Sequence, residues 1–325
     1  MPIVQLQHVR KVYDAKVAVE DLSLAIEPGT MFGLLGPNGS GKTSSIRMMI
    51  GITLPDFGTV SLFDHPFHRS MLARVGYLPE ERGLYKKMNV LDQLVFLGQL
   101  HGLSAAEAAR RSRVWCERLN IAEAIPKKTE DLSKGMQQKI QFIASILHDP
   151  DLIIMDEPFS GLDPVNAALL MDTLVDLRRE GRAVLFSTHR MDQVEKLCDN
   201  IALIHRGHLV LSGSVRSIKS SYPRNRIVIQ YEGDSDAPFL NHPCIETLKR
   251  YNGHAEIKLR PSATLDDDAQ SLLAQAILHA RVTRFEVTEP TLEEIFIEKV
   301  GETSPKDRIA LEEEQEQPAE ELTHA

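Results

Sequence analysis

Eight residues, Gly36–Thr43 (GPNGSGKT), restrict this chain more than any other stretch. They fit G-x-x-x-x-G-K-[ST], a pattern whose glycines let successive backbone N–H groups turn inward around a phosphate chain. Gly36, Pro37, Asn38, Gly39, Ser40 and Gly41 make the cradle, with Ser44 following it. Lys42 adds a cation able to reach the outer phosphates, and the Thr43 hydroxyl can take one position on a magnesium ion. The flanks suit the loop. Met31–Leu35 (MFGLL) is a short apolar run fit for a buried strand. Thr43–Ile50 can start a helix whose N-terminal dipole favours phosphate.

Around this loop the pattern alternates between strand and helix. Ile3–Tyr13 and Val17–Ile26 show short hydrophobic alternations that predict two half-buried antiparallel strands. Pro55–Gly58 turns the chain into a strand at Thr59–Phe63, and Gly76–Pro79 is read as closing this opening lobe. From about 88 to 150 the pattern is helical. Asn89 is placed to cap one helix, and Ser104–Glu107 reads as a capping box for a second. Ile140, Ile143, Ala144 and Leu147 line one face of a third helix. Strands return at Leu152–Met155 and Ala183–Ser187 with a helix at Val165–Arg179 between them, which implies parallel strands joined by right-handed crossovers. Ile201–His205 and His208–Leu211 form a further strand pair around Arg206–Gly207.

Beyond Ser214 a second α+β pattern begins: strands at Arg226–Tyr231, Ala255–Leu259 and Val282–Val287, a helix at Asp267–Ala280, and a last helix opened by Thr291–Glu294. Residues 301–325 are rich in glutamate and poor in aromatics, and are expected to be disordered. The expected organisation is therefore 1–213, 214–300 and an acidic tail.

Composition narrows the function. The 325 residues carry a net charge of −9 with no basic stripe interleaved with aromatics, so nucleic acid is not the expected partner. Cys116, Cys198 and Cys244 are too far apart for a zinc or CxxC arrangement and read as reduced thiols of a cytosolic protein. No secretory signal opens the chain, and no run approaches the roughly 18 apolar residues of a membrane span. Work at a membrane is then expected through a partner. The acidic triplet Asp266–Asp268 reads as dipole-favourable charge at a helix start, and His65 and His68 as a surface turn around Pro66, not as metal ligands.

Asp151–Glu157 (DLIIMDE) is an apolar strand ending in two carboxylates and expected to lie beside the phosphate loop. Asp156 is placed to hold magnesium, and Glu157 to polarise the attacking water. Many strands end in an acid; the phosphate loop upstream gives these two their functional reading. Ser133, in Leu132–Met136 (LSKGM), is a plausible N-cap, and with the Gly135 N–H it makes a second anion site. His189 stands just past the next strand, where it can sense a terminal phosphate.

Taken together, GPNGSGKT, LSKGM, DLIIMDEP, SGLD and STH resemble the ATP-binding subunit of an ABC transporter, over about residues 3–213. The resemblance implies a P-loop NTPase fold of the α/β class: a RecA-like core, an antiparallel β subdomain and a helical subdomain, followed here by a small α+β domain. It implies an ATPase using ATP and Mg²⁺. Tyr13 matches the aromatic that stacks on adenine, Asn38–Thr43 the phosphate cradle, and Asp156 the magnesium acid. Glu157 matches the catalytic carboxylate, His189 the switch histidine, and Asp163 the intersubunit loop. Ser133 and Gly135 match the signature segment that contacts ATP held by the opposite subunit.

Two departures stand out. Lys134 and Met136 replace a glycine and a glutamine of the usual LSGGQ. Glu80 replaces a glutamine that offers an oxygen to magnesium. GYLPEERGLY (76–85) and EPTLEEIFIEKVG further resemble the Nat-type, sodium-extrusion-like and drug-export ATPases, which carry a small C-terminal domain. The resemblance implies an exporter, a transmembrane permease on a separate chain, pairing of two subunits (identical or paralogous) through ATP, and a place at the cytoplasmic face of the membrane. The rival readings are a soluble ABC ATPase acting on ribosomes or DNA, for which a second cassette or coiled coil is missing, and a binding-only regulator, against which Asp156, Glu157 and His189 stand. Small GTPases are disfavoured by the absence of N-K-x-D.

Overall fold

A computed structural model describes residues 1–14, 16–81, 83–232, 238–261 and 265–303 of the chain. The acidic stretch expected to be disordered lies, from 304 on, outside the described residues. Two compact units divide between Val215 and Arg216.

The first unit is built on a ten-stranded mixed sheet. Its antiparallel wing pairs β1 (Val4–Tyr13) with β2 (Lys16–Ile26) and with β4 (Phe57–Leu62), and β4 in turn with the short β5 (His65–Pro66). The parallel part comprises β3 (Met31–Leu35), β6 (Val75–Leu78), β7 (Leu152–Asp156), β8 (Ala183–Thr188) and β9 (Asn200–His205), with β10 (His208–Ser214) antiparallel to β9. The order is β5-β4-β1-β2-β10-β9-β3-β8-β7-β6. β3 and β7 are buried at every position, as expected of parallel strands covered on both faces.

Two expectations are corrected here. Gly76–Pro79 does not close the antiparallel wing. Its strand β6 pairs with β7 at the far edge of the parallel sheet, and no local pattern could reveal a partner more than seventy residues downstream. Nor does β7 flank the loop-bearing strand, because β8 lies between β3 and β7. The registers Leu35↔Thr188 and Asp156↔Ser187 nevertheless align the three strand ends, so the carboxylates still reach the loop.

Helix α1 (Lys42–Met49) follows the loop and seals the core with Ile46, Met48 and Met49 against sheet residues such as Leu6, Leu22 and Ile154. The helical insert holds α2 (Val90–Leu100), α3 (Ala105–Arg118) and α4 (Lys134–Ile146). Asn89 sits at the N-cap of α2 without a side-chain cap bond; its amide turns to Asp92 instead. Ser104 does cap α3, accepting from the Glu107 N–H at 3.2 Å, but the Glu107 carboxylate pairs with Arg110 and Arg111. α5 (Pro164–Arg179) and α6 (Met191–Leu197) complete the crossovers.

α7 (Val215–Ser220) leads to the second unit. There β11 (Arg226–Glu232), β12 (Ile245–Tyr251), β13 (His254–Leu259) and β14 (Arg281–Thr288) form an antiparallel sheet in the order β12-β13-β11-β14. Ile227, Ile229, Ala255 and Ile257 pack with Ala269, Leu272 and Ala276 of α8 (Leu265–His279), whose first turn carries the three aspartates. α9 (Leu292–Thr303) opens with reciprocal bonds between Thr291 and Glu294.

Candidate functional site

β3 delivers the chain into the loop, where two glycines are required by close approach. A Cβ on Gly36, at φ 149°, would lie 2.1 Å from the Ile204 carbonyl oxygen; one on Gly41, at φ 114°, would lie 2.5 Å from that of Ala18. Only glycine lets the loop press this closely on β9 and β2. Lys42, 6% exposed, folds back so that Nζ donates to the carbonyls of Gly36 at 2.7 Å and Pro37 at 3.2 Å. Burial lowers its pKa, while the carboxylates of Glu157, Asp156 and Glu80 pull the other way. All three acids line the same cavity as this ammonium. The Ser40 hydroxyl is buried beneath the loop with no partner among the described residues.

The end of β7 supplies the acids. Asp156 is 1% exposed; one carboxylate oxygen accepts the Ser187 hydroxyl, and the other is buried without a partner among the described residues. A buried, unpaired carboxylate oxygen is costly unless a cation or donor completes it. Glu157 follows at φ 49°, a left-handed conformation disfavoured for a residue with a Cβ. Its N–H donates to the Ser187 carbonyl at 3.2 Å, and its carboxylate meets the His189 ring Nδ1 at 2.9 Å. Ser187 thus holds both acids. Sequence reasoning missed it, although its place two residues before His189 on the strand between loop and acids was the available signal.

A cavity of about 400 Å³ is lined by the loop residues Asn38–Ser44, by the acids Asp156, Glu157 and Glu80, and by Tyr13, Lys16 and Ala18. Tyr13 and Lys16 pair across the β1–β2 hairpin, so a tyrosine at this strand end predicts its neighbour. The Tyr13 ring is 40% exposed, with Lys11 Nζ 5.4 Å from its centroid. Gly36 and Pro37 supply the carbonyls holding Lys42, and His189 joins through Glu157. The lining combines backbone N–H donors, a cation and an aromatic ring, a set suited to an anion with a planar head.

Three named residues stand apart. Ser133, Gly135 and Asp163 do not line the cavity. Ser133 is exposed at the N-terminus of α4, accepting from the Met136 N–H at 3.2 Å. Asp163 caps α5, accepting from the N–H groups of Asn166 at 3.0 Å and Val165 at 3.1 Å. The Asn166 bonds, backbone and side chain, hold its carboxyl below the usual aspartate range. The two segments adjoin, since a Cβ on Gly135 would touch Leu162 at 3.6 Å.

The chain is similar to known proteins along most of its length. The family model described as ABC transporter matches residues 19–160, and that described as ATP-binding protein DrrA1-3-like, C-terminal domain, matches 213–300. The Uncharacterized ABC transporter ATP-binding protein YhaQ of Bacillus subtilis is 42% identical over 297 residues, covering 91% of this chain and 98% of the relative. The Linearmycin resistance ATP-binding protein LnrL of the same organism is 31% identical over 310 residues, covering 93% and 99%. A solved structure titled "Structure of ATP binding subunit of ABC transporter" superposes with a TM-score of 0.62 at 28% identity, covering 67% of this chain and 92% of the other. With the loop, the paired acids and the ten-stranded sheet of the cassette all in place, this chain belongs to the ATP-binding proteins of ABC transporters, a family of ATPases.

Proposed function

We propose that two copies of this chain, or this chain and a paralogue, clamp ATP between them and drive a separate transmembrane permease in the export direction. The observation that carries the reading is the division of the site. The cavity gathers Tyr13, the loop and the acids, whereas Ser133 and Gly135 present a hydroxyl and a helix N-terminus to solvent outside it. An anion site that cannot serve its own cavity is explained by a partner's nucleotide.

In this mechanism Tyr13 stacks on the adenine, and Asn38–Ser44 wrap the phosphates with their N–H groups. Lys42 exchanges the Gly36 and Pro37 carbonyls for phosphate oxygens, a replacement that costs little because it is already held at the loop. Glu157 takes a proton from the attacking water, and His189, against its carboxylate, senses the γ-phosphate. Ser133 and Gly135 close on the phosphate from the opposite subunit, and Asp163 lies at that junction. The donors available to magnesium are all oxygens: the Thr43 hydroxyl, the unpaired Asp156 oxygen and the Glu80 carboxylate. That set fits a hard divalent cation, which when bound would neutralise charge on the phosphates.

Docking of a permease has support in an apolar groove of about 370 Å³, lined by Ile52, Leu72, Tyr77, Pro79, Leu84 and Leu97. Glu80 lines the cavity while Pro79, Gly83 and Leu84 line this groove, so movement at the cavity and of an element docked around residues 80–90 would be shared. No described helix is long and apolar enough to cross a membrane; the permease is proposed as a separate chain, and the cytoplasmic face of the membrane as the place of work. The name of the linearmycin-resistance relative supports export. The organisation fitting this role is a cassette over 1–213, a small domain over 214–300, and an acidic tail.

Glu157→Gln is the direct test. With MgATP it should elute as a stable dimer on size exclusion while hydrolysis is lost; a variant that stays monomeric with ATP bound would overturn the clamp, and one hydrolysing at the wild-type rate would remove Glu157 from its role.

A further inference from the structure

Glu80 is exposed and has no ion pair among the described residues, yet it lines the cavity together with Lys42 and the two acids at the end of β7. What fixes it there is the backbone on either side. Gln141, on the inward face of α4 and 6% exposed, donates from one amide group to the carbonyls of Pro79 at 3.2 Å and Glu81 at 3.0 Å. Those two carbonyls bracket Glu80. Residues 79–81 lie just past the end of β6, outside any strand or helix, so this amide is the clamp the sheet does not provide.

Packing alone does not explain a glutamine here. Its neighbours Ile140, Phe142 and Ile143 are buried and apolar, and the Gln141 Oε1 is itself buried with no partner among the described residues. An apolar side chain of the same length would fill the space without an orphaned acceptor. One helical turn earlier, on the same face, Gln138 is 4% exposed and donates to the Pro158 carbonyl at 3.1 Å, just past Glu157. α4 therefore grips the backbone beside two of the cavity's three carboxylates through two buried amides. Pro79 and Gln141 also line the apolar groove, so the segment carrying Glu80 is the wall between groove and cavity.

We propose that Gln141 is a positioning residue that holds the Glu80 carboxylate at the cation end of the nucleotide cavity. The inference rests on the reading of Glu80 as a cation ligand. A buried amide that orients a ligand-bearing backbone acts as the outer shell of a metal site does, by removing the freedom of the ligand to turn away.

The test is a double-mutant cycle on the full chain, with Mn²⁺ binding in the presence of a non-hydrolysable ATP analogue read by electron paramagnetic resonance. Gln141→Leu should weaken Mn²⁺ binding about 10-fold. Analogue affinity measured in EDTA should not change. Glu80→Ala, which removes the oxygen ligand outright, should weaken Mn²⁺ at least as much, and the double variant no more than Glu80→Ala alone. Additive losses, or a Gln141→Leu protein that binds Mn²⁺ as wild type while Glu80→Ala does not, would overturn the positioning role. Wild-type Mn²⁺ binding by Glu80→Ala would instead overturn the reading of Glu80, and the inference with it. Should Gln141→Leu fail to fold by circular dichroism, Gln141→Met, flexible and similar in length, carries the same comparison.

Discussion

Lys42 is the residue on which the chemistry narrows. Its ammonium is buried, held by two loop carbonyls, and lines the cavity together with Asp156, Glu157 and Glu80, so its replacement removes a cation from the phosphate loop. Lys42→Ala is expected to lower ATPase activity by about 100-fold or more, measured as phosphate release. His148 carries a different consequence. Its ring stacks on His101 at 3.8 Å and contacts the Val75 carbonyl through Nε2 at 3.1 Å. Burial foremost, then His101, pushes its pKa down to about 4. Between the unfolded value near 6.5 and about 4 the unfolded chain takes up a proton that the folded chain refuses. The contribution is complete above that window and is lost as pH falls through it. Thermal melts should therefore drop in temperature from pH 6.5 to pH 4, and His148→Gln, which can still donate to Val75, should flatten that slope.

At the scale of elements, one cap tests two roles. Ser104 and Ser133 cap α3 and α4 with the same geometry, each accepting an N–H at 3.2 Å. Replacing either by alanine should cost about 1 kcal/mol of stability in denaturant titrations. Only Ser133→Ala is expected to lower ATPase activity as well, because only that helix end is proposed to meet a partner's phosphate. Equal activities in the two variants would leave Ser133 a cap and nothing more. These helix starts were legible because capping chemistry is local: Ser133, Ser104 and Thr291 all announce themselves within four residues. β12 was not. Ile245–Tyr251 is an edge strand with little burial along its length, so its hydrophobic alternation is too weak to read. β6 failed for the opposite reason, a buried strand too short to assign without its partner.

For the molecule as a whole, the nucleotide should stabilise the unit that holds it. Trp115, the single tryptophan, sits on α3 of the first unit, so its fluorescence reports that unit alone. A slowly hydrolysed ATP analogue with magnesium at about 100 times Kd adds about 2.7 kcal/mol to the bound fold. For a unit of this size that corresponds to a rise of about 5–10 °C in the tryptophan transition, with no rise in EDTA-treated Lys42→Ala.

The sequence alone determined the family, the phosphate loop and the paired acids, because each is a contiguous motif whose chemistry depends on neighbours one to seven residues away. Tyr13 and Glu80 came only through resemblance. Tertiary structure decided the rest: that β8 separates loop from acids, that Ser187 holds the Asp156 carboxylate and the Glu157 backbone N–H, that Lys16 and Ala18 join the cavity, and that Gln141 reaches across from α4 to bracket Glu80. These are pairings between residues tens of positions apart, fixed by strand order and helix packing. No local pattern of hydrophobicity or charge records them.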